Sequence, residues 1–433
     1  MKFTMNVVKN GKDLKWTYDN EDNSVYDENG VCLNPKPMFT TREFINKPFT
    51  KENNPNIKTN DTVTTLEIML GFNCNLKCDF CQEEQYKDRV YSSTPKDVEG
   101  IIAKLHKLDF KNIVSIELWG GEPLVYWKTY KLLVPELRKM YPNAYISTFT
   151  NGVLLDKEKV DFFKENRVNV VISCDNVHAN ANKTGTKYSN ILEDENILKA
   201  IRYFHEVAPD LVSFWATLVP GHVDFEEIRQ DIINKTGLDN IEIDYLPIKC
   251  VTINDVFTHD EYLKVLDQYY QFLMGKGDSA SARAHENMFM NRVLSKMNRM
   301  QATSHCNLGF TRSVAFTLDG TVYNCYIRPQ AIGKLDNLKQ LNITGLTHWS
   351  EREYCNRCPW IQCCGGVCYT IPNKRHRYTC GNFRAYVEAM FKSVIAKLFG
   401  VYFKSMEYED SDLLYKLAEE KSKTIKVVPT NEC

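Results

Sequence analysis

Residues 66–81 decide the reading of this chain. Leu66-Glu67-Ile68-Met69-Leu70-Gly71 is a mostly apolar run ending at glycine. After Phe72 and Asn73 it gives way to Cys74-Asn75-Leu76-Lys77-Cys78-Asp79-Phe80-Cys81. The run predicts a buried strand. The octet is a Cys-x3-Cys-x2-Cys loop that leaves the strand's carboxyl end. Thiolates select soft metals, and three on one short loop can hold three corners of a cubane cluster. Such a cluster normally takes four cysteines, so one iron stays open, as in catalytic rather than closed structural metal sites. A zinc site borrowing a fourth ligand fits the same spacing.

Working outward, strands and helices alternate. Further strands are predicted at 113–119, 144–150, 168–174, 212–219 and 241–247. Helices are predicted near 125–139, 156–166, 191–207 and 224–235, and one starts at Thr94-Pro95-Lys96-Asp97. There Thr94 reads as N-cap, Pro95 as the first helical residue and Asp97 as an acid at the positive helix end. Val98, Ile101, Ile102, Leu105 and Leu108 follow at helical spacing. Six strands alternating with helices imply an α/β fold of parallel units with right-handed crossovers. An open doubly wound sheet and an incomplete barrel both satisfy this, and both place function at the carboxyl ends of strands.

The flanks read differently. Residues 1–62 are polar and turn-rich, predicting one or two β-hairpins and then a Pro/Asn-rich linker. Residues 258–300 read as two helices, 306–380 as cysteine- and glycine-rich with little helical periodicity, 384–399 as an amphipathic helix, and 416–433 as a charged, loosely held tail.

Composition narrows the class. The 433 residues are 43% hydrophobic and 25% charged, ample for a core and unlike a disordered chain. The 54 basic and 55 acidic residues give a net charge of −1, which argues against a protein that coats nucleic acid. No run of about 18 apolar residues predicts a membrane span. No apolar h-region follows Met1, so a cytoplasmic protein is expected. Of the 15 cysteines, eight lie between Cys306 and Cys380 and three between Cys74 and Cys81. In a reducing compartment such density points to metal or redox chemistry.

The triplet Cys74, Cys78, Cys81, with aromatic Phe80 before the last cysteine, resembles the radical SAM superfamily. Trp119-Gly120-Gly121-Glu122-Pro123-Leu124 resembles that family's Gly-Gly-Glu-Pro motif, and Thr150-Asn151-Gly152 ends the third strand as is usual there. The resemblance implies a partial (β/α)6 TIM-like barrel and a cluster whose open iron chelates the amino and carboxylate groups of S-adenosylmethionine. It further implies cofactor contacts from Phe80, Gly120, Gly121, Glu122, Pro123, Thr150 and Asn151, with Ser173 and Asp175 on the ribose hydroxyls. Ordinary turn capping also explains Ser173 and Asp175. Cys174 reads as a small buried hydrophobe.

Cys306-x13-Gly320-x4-Cys325, then Cys355-x2-Cys358-x5-Cys364-x3-Cys368 and Cys380 resemble the seven-cysteine signature of the SPASM domain. Leu318-Asp319-Gly320-Thr321 reads as its hairpin loop. The resemblance implies two auxiliary 4Fe–4S clusters, hence three in all: the first on Cys306, Cys325 and Cys368, the second on Cys355, Cys358, Cys364 and Cys380. The additional upstream cysteine of some relatives is missing here, which leaves an open iron or a ligand such as His305 or Cys363. A zinc ribbon is the plainer reading of Cys355 and Cys358 taken alone.

The implied organisation is an N-terminal hairpin region (1–62), a radical SAM barrel (63–250), a helical linker (251–304), a SPASM domain (305–383) and a C-terminal helix and tail (384–433). The implied activity is reductive cleavage of S-adenosylmethionine to a 5′-deoxyadenosyl radical. That radical then abstracts hydrogen from a peptide or protein substrate, giving an oxidation or cross-link, with flavodoxin or ferredoxin as electron donor. In the sulfatase-maturating branch an aspartate follows the second SPASM cysteine; here Tyr326 stands there, a weak candidate acid or relay. Residues 1–62 fit either a short peptide-recognition element with an exposed strand edge or a structural cap. Oxidation of a small metabolite is the alternative chemistry, and a zinc-stabilised binding protein the non-enzymatic one.

Overall fold

The computed structural model describes residues 1–34, 58–78, 81, 91–174, 183–184, 191–250, 252–276, 280–295, 312–325, 330–342, 346–409, 413, 416, 417 and 419–421. Three strands open the chain: β1 (Lys2–Lys9), β2 (Lys12–Asp19) and β3 (Ser24–Tyr26). Next come β4 (Thr65–Met69), the short β5 (Lys77–Cys78), β6 (Ser115–Trp119), β7 (Tyr145–Thr150) and β8 (Val168–Ser173). They are followed by the short β9 (Lys183–Thr184), β10 (Val212–Leu218) and β11 (Ile243–Pro247). Helices α1 (Asp97–Leu108), α2 (Trp127–Met140), α3 (Lys157–Asn166), α4 (Glu195–Val207) and α5 (Phe225–Thr236) fall between β5 and β11. All six strands predicted for the barrel form, and all five helices.

β4, β6, β7, β8, β10 and β11 are parallel neighbours in chain order. A doubly wound sheet needs a reversal of that order. Right-handed crossovers without a reversal put every helix on one face, the arrangement of a partial barrel. Burial agrees. Ile116, Leu118, Ile146, Val170, Ile172, Phe214 and Ala216 are buried in one core with Ile101, Leu105, Leu133, Leu137, Val160, Phe163, Ile201 and Phe204 of the helices. Aspartate N-caps start three of these helices: Asp156, Asp194 and Asp224 each accept backbone N–H bonds from the first turn. At α1, hydrogen bonding starts at Asp97 rather than Pro95, and Asp97 folds back to accept from the backbone N–H and hydroxyl of Thr94.

The sheet does not stop at six strands. β12 (Ser313–Thr317) pairs in parallel with β4, and β13 (Thr321–Tyr323) and β14 (Ala331–Lys334) continue antiparallel. The predicted hairpin at Gly320 forms, with φ +81°. Residues 312–334, placed in a separate domain from the sequence, therefore share the barrel's sheet.

After α6 (His259–Gln271) and α7 (Ala280–Ser295), a long helix, α8, runs Asn373–Phe399. It starts eleven residues before the predicted 384–399 and carries Cys380 within it. Its flanks are buried almost all round, so its amino-terminal half shows no amphipathic stripe. β15 (Tyr402–Glu407) then pairs with β1, and Leu413 and Leu417 are buried beside Tyr378 while Lys421 Nζ donates to the Val256 carbonyl at 2.8 Å, so the chain is packed as far as Lys421, past residue 416 where a loose tail was expected. The small sheet runs β15-β1-β2-β3. It packs on α8 through Trp16 against Phe399 and Tyr18 against Phe391, at ring-centroid distances of 5.9 and 5.0 Å. β1 is thus an interior strand, and the edges are β15 and β3.

Candidate functional site

The cysteine loop is fastened by backbone contacts at the carboxyl ends of β4 and β6. Gly121 N–H donates to the Gly71 carbonyl at 3.0 Å, and Glu122 N–H to the Asn73 carbonyl at 2.9 Å. Asn73 N–H donates to Tyr126 Oη at 2.8 Å. A Cβ on Gly120 would lie 2.8 Å from the Gly71 oxygen, and one on Gly121 2.5 Å from the Asn73 oxygen. The two glycines therefore admit the loop's own backbone at this distance, which no other residue allows.

Glu122 is 1% exposed. Its Oε1 accepts from Leu124 N–H at 3.0 Å and Thr150 Oγ1 at 2.7 Å, and its Oε2 from Asn151 N–H at 2.7 Å. Burial raises its pKa, and these three bonds oppose the rise. Glu122 thus caps the turn Pro123–Tyr126 and holds the end of β7 against it. The resemblance implied a cofactor contact for Glu122; the structure adds this anchoring role. Asn151 reaches on to the loop, its Nδ2 donating to Asn75 Oδ1 at 2.8 Å and lying 3.8 Å from Cys74 Sγ.

Cys74, Cys78 and Cys81 are in no disulfide, and Cys81 N–H closes a turn on the Cys78 carbonyl at 3.0 Å. β5, which contains Cys78, pairs with β9. Burial pushes the Cys74 thiol up to about 12; the Leu76 N–H opposes this, while the charges of Glu122, Cys78 and Cys81 add to it. Three thiols on one loop that repel one another when ionised suit a polycationic cluster. Among the described residues no three His, Cys, Asp or Glu side chains converge as one metal ion requires; a cubane gives each thiolate its own iron. Ser173 ends β8, half-buried, and Cys174 is fully buried as expected. Phe80 and Asp175 lie outside the described residues.

Among the described residues, the sheet face turned away from the helices carries polar and aromatic side chains, several of them half-buried. Its outward positions are in register: Glu67 beside Glu117, Glu117 beside Ser147, Ser147 beside Asn169, and Ser173 beside Trp215 beside Asp244. A closed barrel packs this face with branched aliphatics. Here Trp119 stacks on Phe149 at 4.2 Å, and Phe149 meets Trp215 edge-on at 5.5 Å. Trp119 Nε1 donates to Glu117 Oε2 at 3.0 Å, and burial raises the Glu117 pKa. All three rings are half-buried. This aromatic row, just below the cysteine loop, was not recognised in the sequence, although alternation along β6, β7 and β10 carries it.

The second constellation is partly assembled. Cys355, Cys358, Cys364 and Cys380 are in no disulfide. Burial raises Cys355 and Cys364, and each feels the charges of Cys358 and Cys380. Cys355 lies on a helical turn at Glu353–Asn356, Cys364 on another at Ile361–Cys364 and Cys380 on α8, and Cys355 is within electrostatic reach of the other three thiols. Cys363 points elsewhere: its Sγ lies 3.6 Å from the Val387 carbonyl, in the main core. Cys325 and Cys368 are buried, and Cys368 Sγ is 3.2 Å from Thr370 Oγ1. Cys306, His305 and Tyr326 lie outside the described residues. Two buried arginines beside these cysteines, Arg352 and Arg384, had no sequence signal.

Comparison with known proteins agrees. The radical SAM superfamily matches residues 68–235. The chain is 21% identical over 346 residues to the radical SAM cyclopropyl synthase TigE of Paramaledivibacter caminithermalis, spanning 74% of this chain and 71% of that protein. It is 26% identical over 223 residues to a GTP 3′,8-cyclase of Staphylococcus epidermidis, spanning 48% and 63%. Native anSMEcpe, solved with bound AdoMet and the Kp18Cys peptide, matches with a TM-score of 0.58 at 19% identity, over 78% of this chain and 99% of that one. The fold is shared with that protein, and residues 68–235 of the chain are similar to the radical SAM superfamily.

Proposed function

We propose that this chain reductively cleaves S-adenosylmethionine and abstracts hydrogen from a peptide or protein side chain. The observation that carries the reading is the fastening of the Cys74–Cys81 loop to Gly120-Gly121-Glu122 and Asn151 at the carboxyl ends of adjacent parallel strands. A 4Fe–4S cluster on Cys74, Cys78 and Cys81 would supply the electron that splits the sulfonium into methionine and a 5′-deoxyadenosyl radical. The chain's own part is positional. Glu122 and Asn151 fix the loop, the Gly-Gly turn leaves no room for it to shift, and the half-buried row Trp119, Phe149 and Trp215 offers a floor for substrate next to the reacting centre.

Two auxiliary clusters, on Cys306, Cys325 and Cys368 and on Cys355, Cys358, Cys364 and Cys380, complete the reading. Flavodoxin or ferredoxin would be the donor and the cytoplasm the compartment. A peptide is bound in the solved anSMEcpe complex, and the inner face here suits one. Its strand residues include the carboxylates Glu67, Glu117 and Asp244 and no Lys or Arg. A triphosphate such as the GTP named for the cyclase relatives would need cations there.

The test is anaerobic. Protein reconstituted with iron and sulfide should release 5′-deoxyadenosine from S-adenosylmethionine under dithionite, measured by mass spectrometry. Cys74→Ala, Cys78→Ala and Cys81→Ala should each cut release by more than about 100-fold; release persisting in all three refutes the reading. Co-expression with small peptides encoded beside the gene should give one a mass shift.

A further inference from the structure

The cysteine loop meets the end of β7 at a pair of side-chain amides. Asn151 follows the last residue of that strand, Thr150, and its backbone N–H donates to Glu122 Oε2 at 2.7 Å. Its side-chain oxygen accepts from Val153 N–H at 3.1 Å. A backbone N–H can only donate, so the oxygen faces Val153 and the amide nitrogen faces the loop. There Nδ2 donates to Asn75 Oδ1 at 2.8 Å and lies 3.8 Å from Cys74 Sγ. Cys74 Sγ also accepts from Leu76 N–H at 3.4 Å. Of these two donors, Leu76 N–H belongs to the loop itself, whereas Asn151 comes from the barrel sheet.

The donors and acceptors match an ionised Cys74. Asn75 Oδ1 lies 3.9 Å from Cys74 Sγ, so a thiolate there faces a carbonyl oxygen, and a donor that serves both relieves the repulsion. The Asn151 amide carries two hydrogens, one for each acceptor. A thiol sulfur accepts weakly, while an ionised one makes a charge-assisted bond. With its oxygen turned to Asn151, the nitrogen of Asn75 points elsewhere, and it is buried with no acceptor among the described residues. That orphan donor, one residue from Cys74, fits an electron-rich group held by the three cysteines. Hydrogen bonds to the sulfurs of a cluster favour its reduced, more negative form and so raise its potential.

We propose that Asn151 is a positioning residue for the first cluster: its amide donates to the Cys74 thiolate and raises the reduction potential of a cluster held by Cys74, Cys78 and Cys81. This rests on the first-cluster part of the proposed function, and goes beyond the cofactor contact that the resemblance implied for Asn151. The residue acts through the sulfur rather than on substrate.

The experiment is a redox titration followed by electron paramagnetic resonance, on the full chain reconstituted without air with iron and sulfide. The reduced-cluster signal that is lost in Cys78→Ala belongs to the first cluster. If the parent has no such signal, the first cluster is refuted and the proposed function fails with it. A signal whose midpoint ignores Asn151 refutes this inference alone. Asn151→Leu, which keeps the size and loses the donor, should move the midpoint negative. The oxidised-to-reduced ratio at the parental midpoint should rise about threefold or more, which is ~28 mV for one electron at ~59 mV per tenfold. Asn151→Asp keeps the acceptor for Val153 but puts a charge in place of the donor, and should move the midpoint further. Asn75→Ala frees both Nδ2 hydrogens for the sulfur and should not move it negative. Equal negative shifts in Asn75→Ala and Asn151→Leu would show that the pair only braces the loop, and overturn the proposal. If Asn151→Leu fails to load a cluster, Asn151→Asp decides by the same reading. If neither loads, Asn151 acts by holding the shape of the loop and the proposal falls.

Discussion

Gly121 shows what a single missing Cβ does here. A methyl at that position would sit 2.5 Å from the Asn73 carbonyl oxygen and 2.7 Å from its carbon, so backbone rather than a flexible side chain must yield. Gly121→Ala should cost about 1–3 kcal/mol, the usual range for overpacking. It should also lower iron bound at the Cys74–Cys81 loop, because Gly121 N–H and Glu122 N–H hold residues 71–73 in place. Denaturant unfolding with an iron assay on the same sample checks both, and unchanged stability with full loading contradicts the account. The motif was legible as a string. Its physical work was not, because the partner backbone belongs to a loop almost 50 residues earlier. The same holds for Tyr126, which accepts from Asn73 N–H at 2.8 Å and has no motif of its own.

Among the elements, α8 is the spine of the C-terminal half and the one whose start the sequence misplaced. Its first turns carry His376, fully buried between two partners. Nε2 lies 2.6 Å from the Gly366 carbonyl and Nδ1 2.8 Å from Tyr354 Oη. Nε2–H therefore donates to Gly366, the Tyr354 hydroxyl donates to Nδ1, and the ring stays neutral. Burial first, and then the Arg352 charge, lower its pKa to about 3; the same causes lower His348 to about 4. Both values lie below the ordinary 6.5, so between them and 6.5 the unfolded chain binds more protons. Stability should be fully present above about pH 6.5 and fall as acid is added, by up to about 1.4 kcal/mol per pH unit for each histidine. His376→Gln should flatten the pH dependence of the denaturant midpoint between pH 6.5 and 5, and an unchanged slope would show that His376 is not buried neutral. Helices α1 to α5 were readable because one side of each is solvated. The amino-terminal half of α8 was not, since Tyr378, Phe383, Arg384 and Tyr386 are buried on several sides and leave no periodic contrast.

At the scale of the molecule, local pattern specified the six parallel strands, and long-range pairing supplied what pattern could not. β12 joins β4 across some 250 residues, and Asn6 of β1 bonds Ser405 of β15 across 399. No periodicity reports such partners. They matter because they tie both chain ends to one body: the amino-terminal sheet lies on α8, and Asn20 Nδ2 donates to the Cys358 carbonyl at 3.0 Å. A structural role for residues 1–34 follows from those contacts, while the edges β15 and β3 leave peptide pairing open to test. With all helices on one face, the opposite face is the natural place for substrate, and its half-buried row of Trp119, Phe149 and Trp215 lies where the strands end. Trp215 is one end of the row, edge-on to Phe149 and in register with Ser173. Trp215→Ala should enlarge that floor and let substrate sit out of line, and misplacement of about 1 Å costs on the order of 100-fold in productive geometry. The ratio of modified peptide to 5′-deoxyadenosine released should then fall about tenfold or more, because cleavage would continue without transfer to substrate. A ratio equal to the parent's, measured by quantitative mass spectrometry on both products, would place substrate somewhere other than on this face.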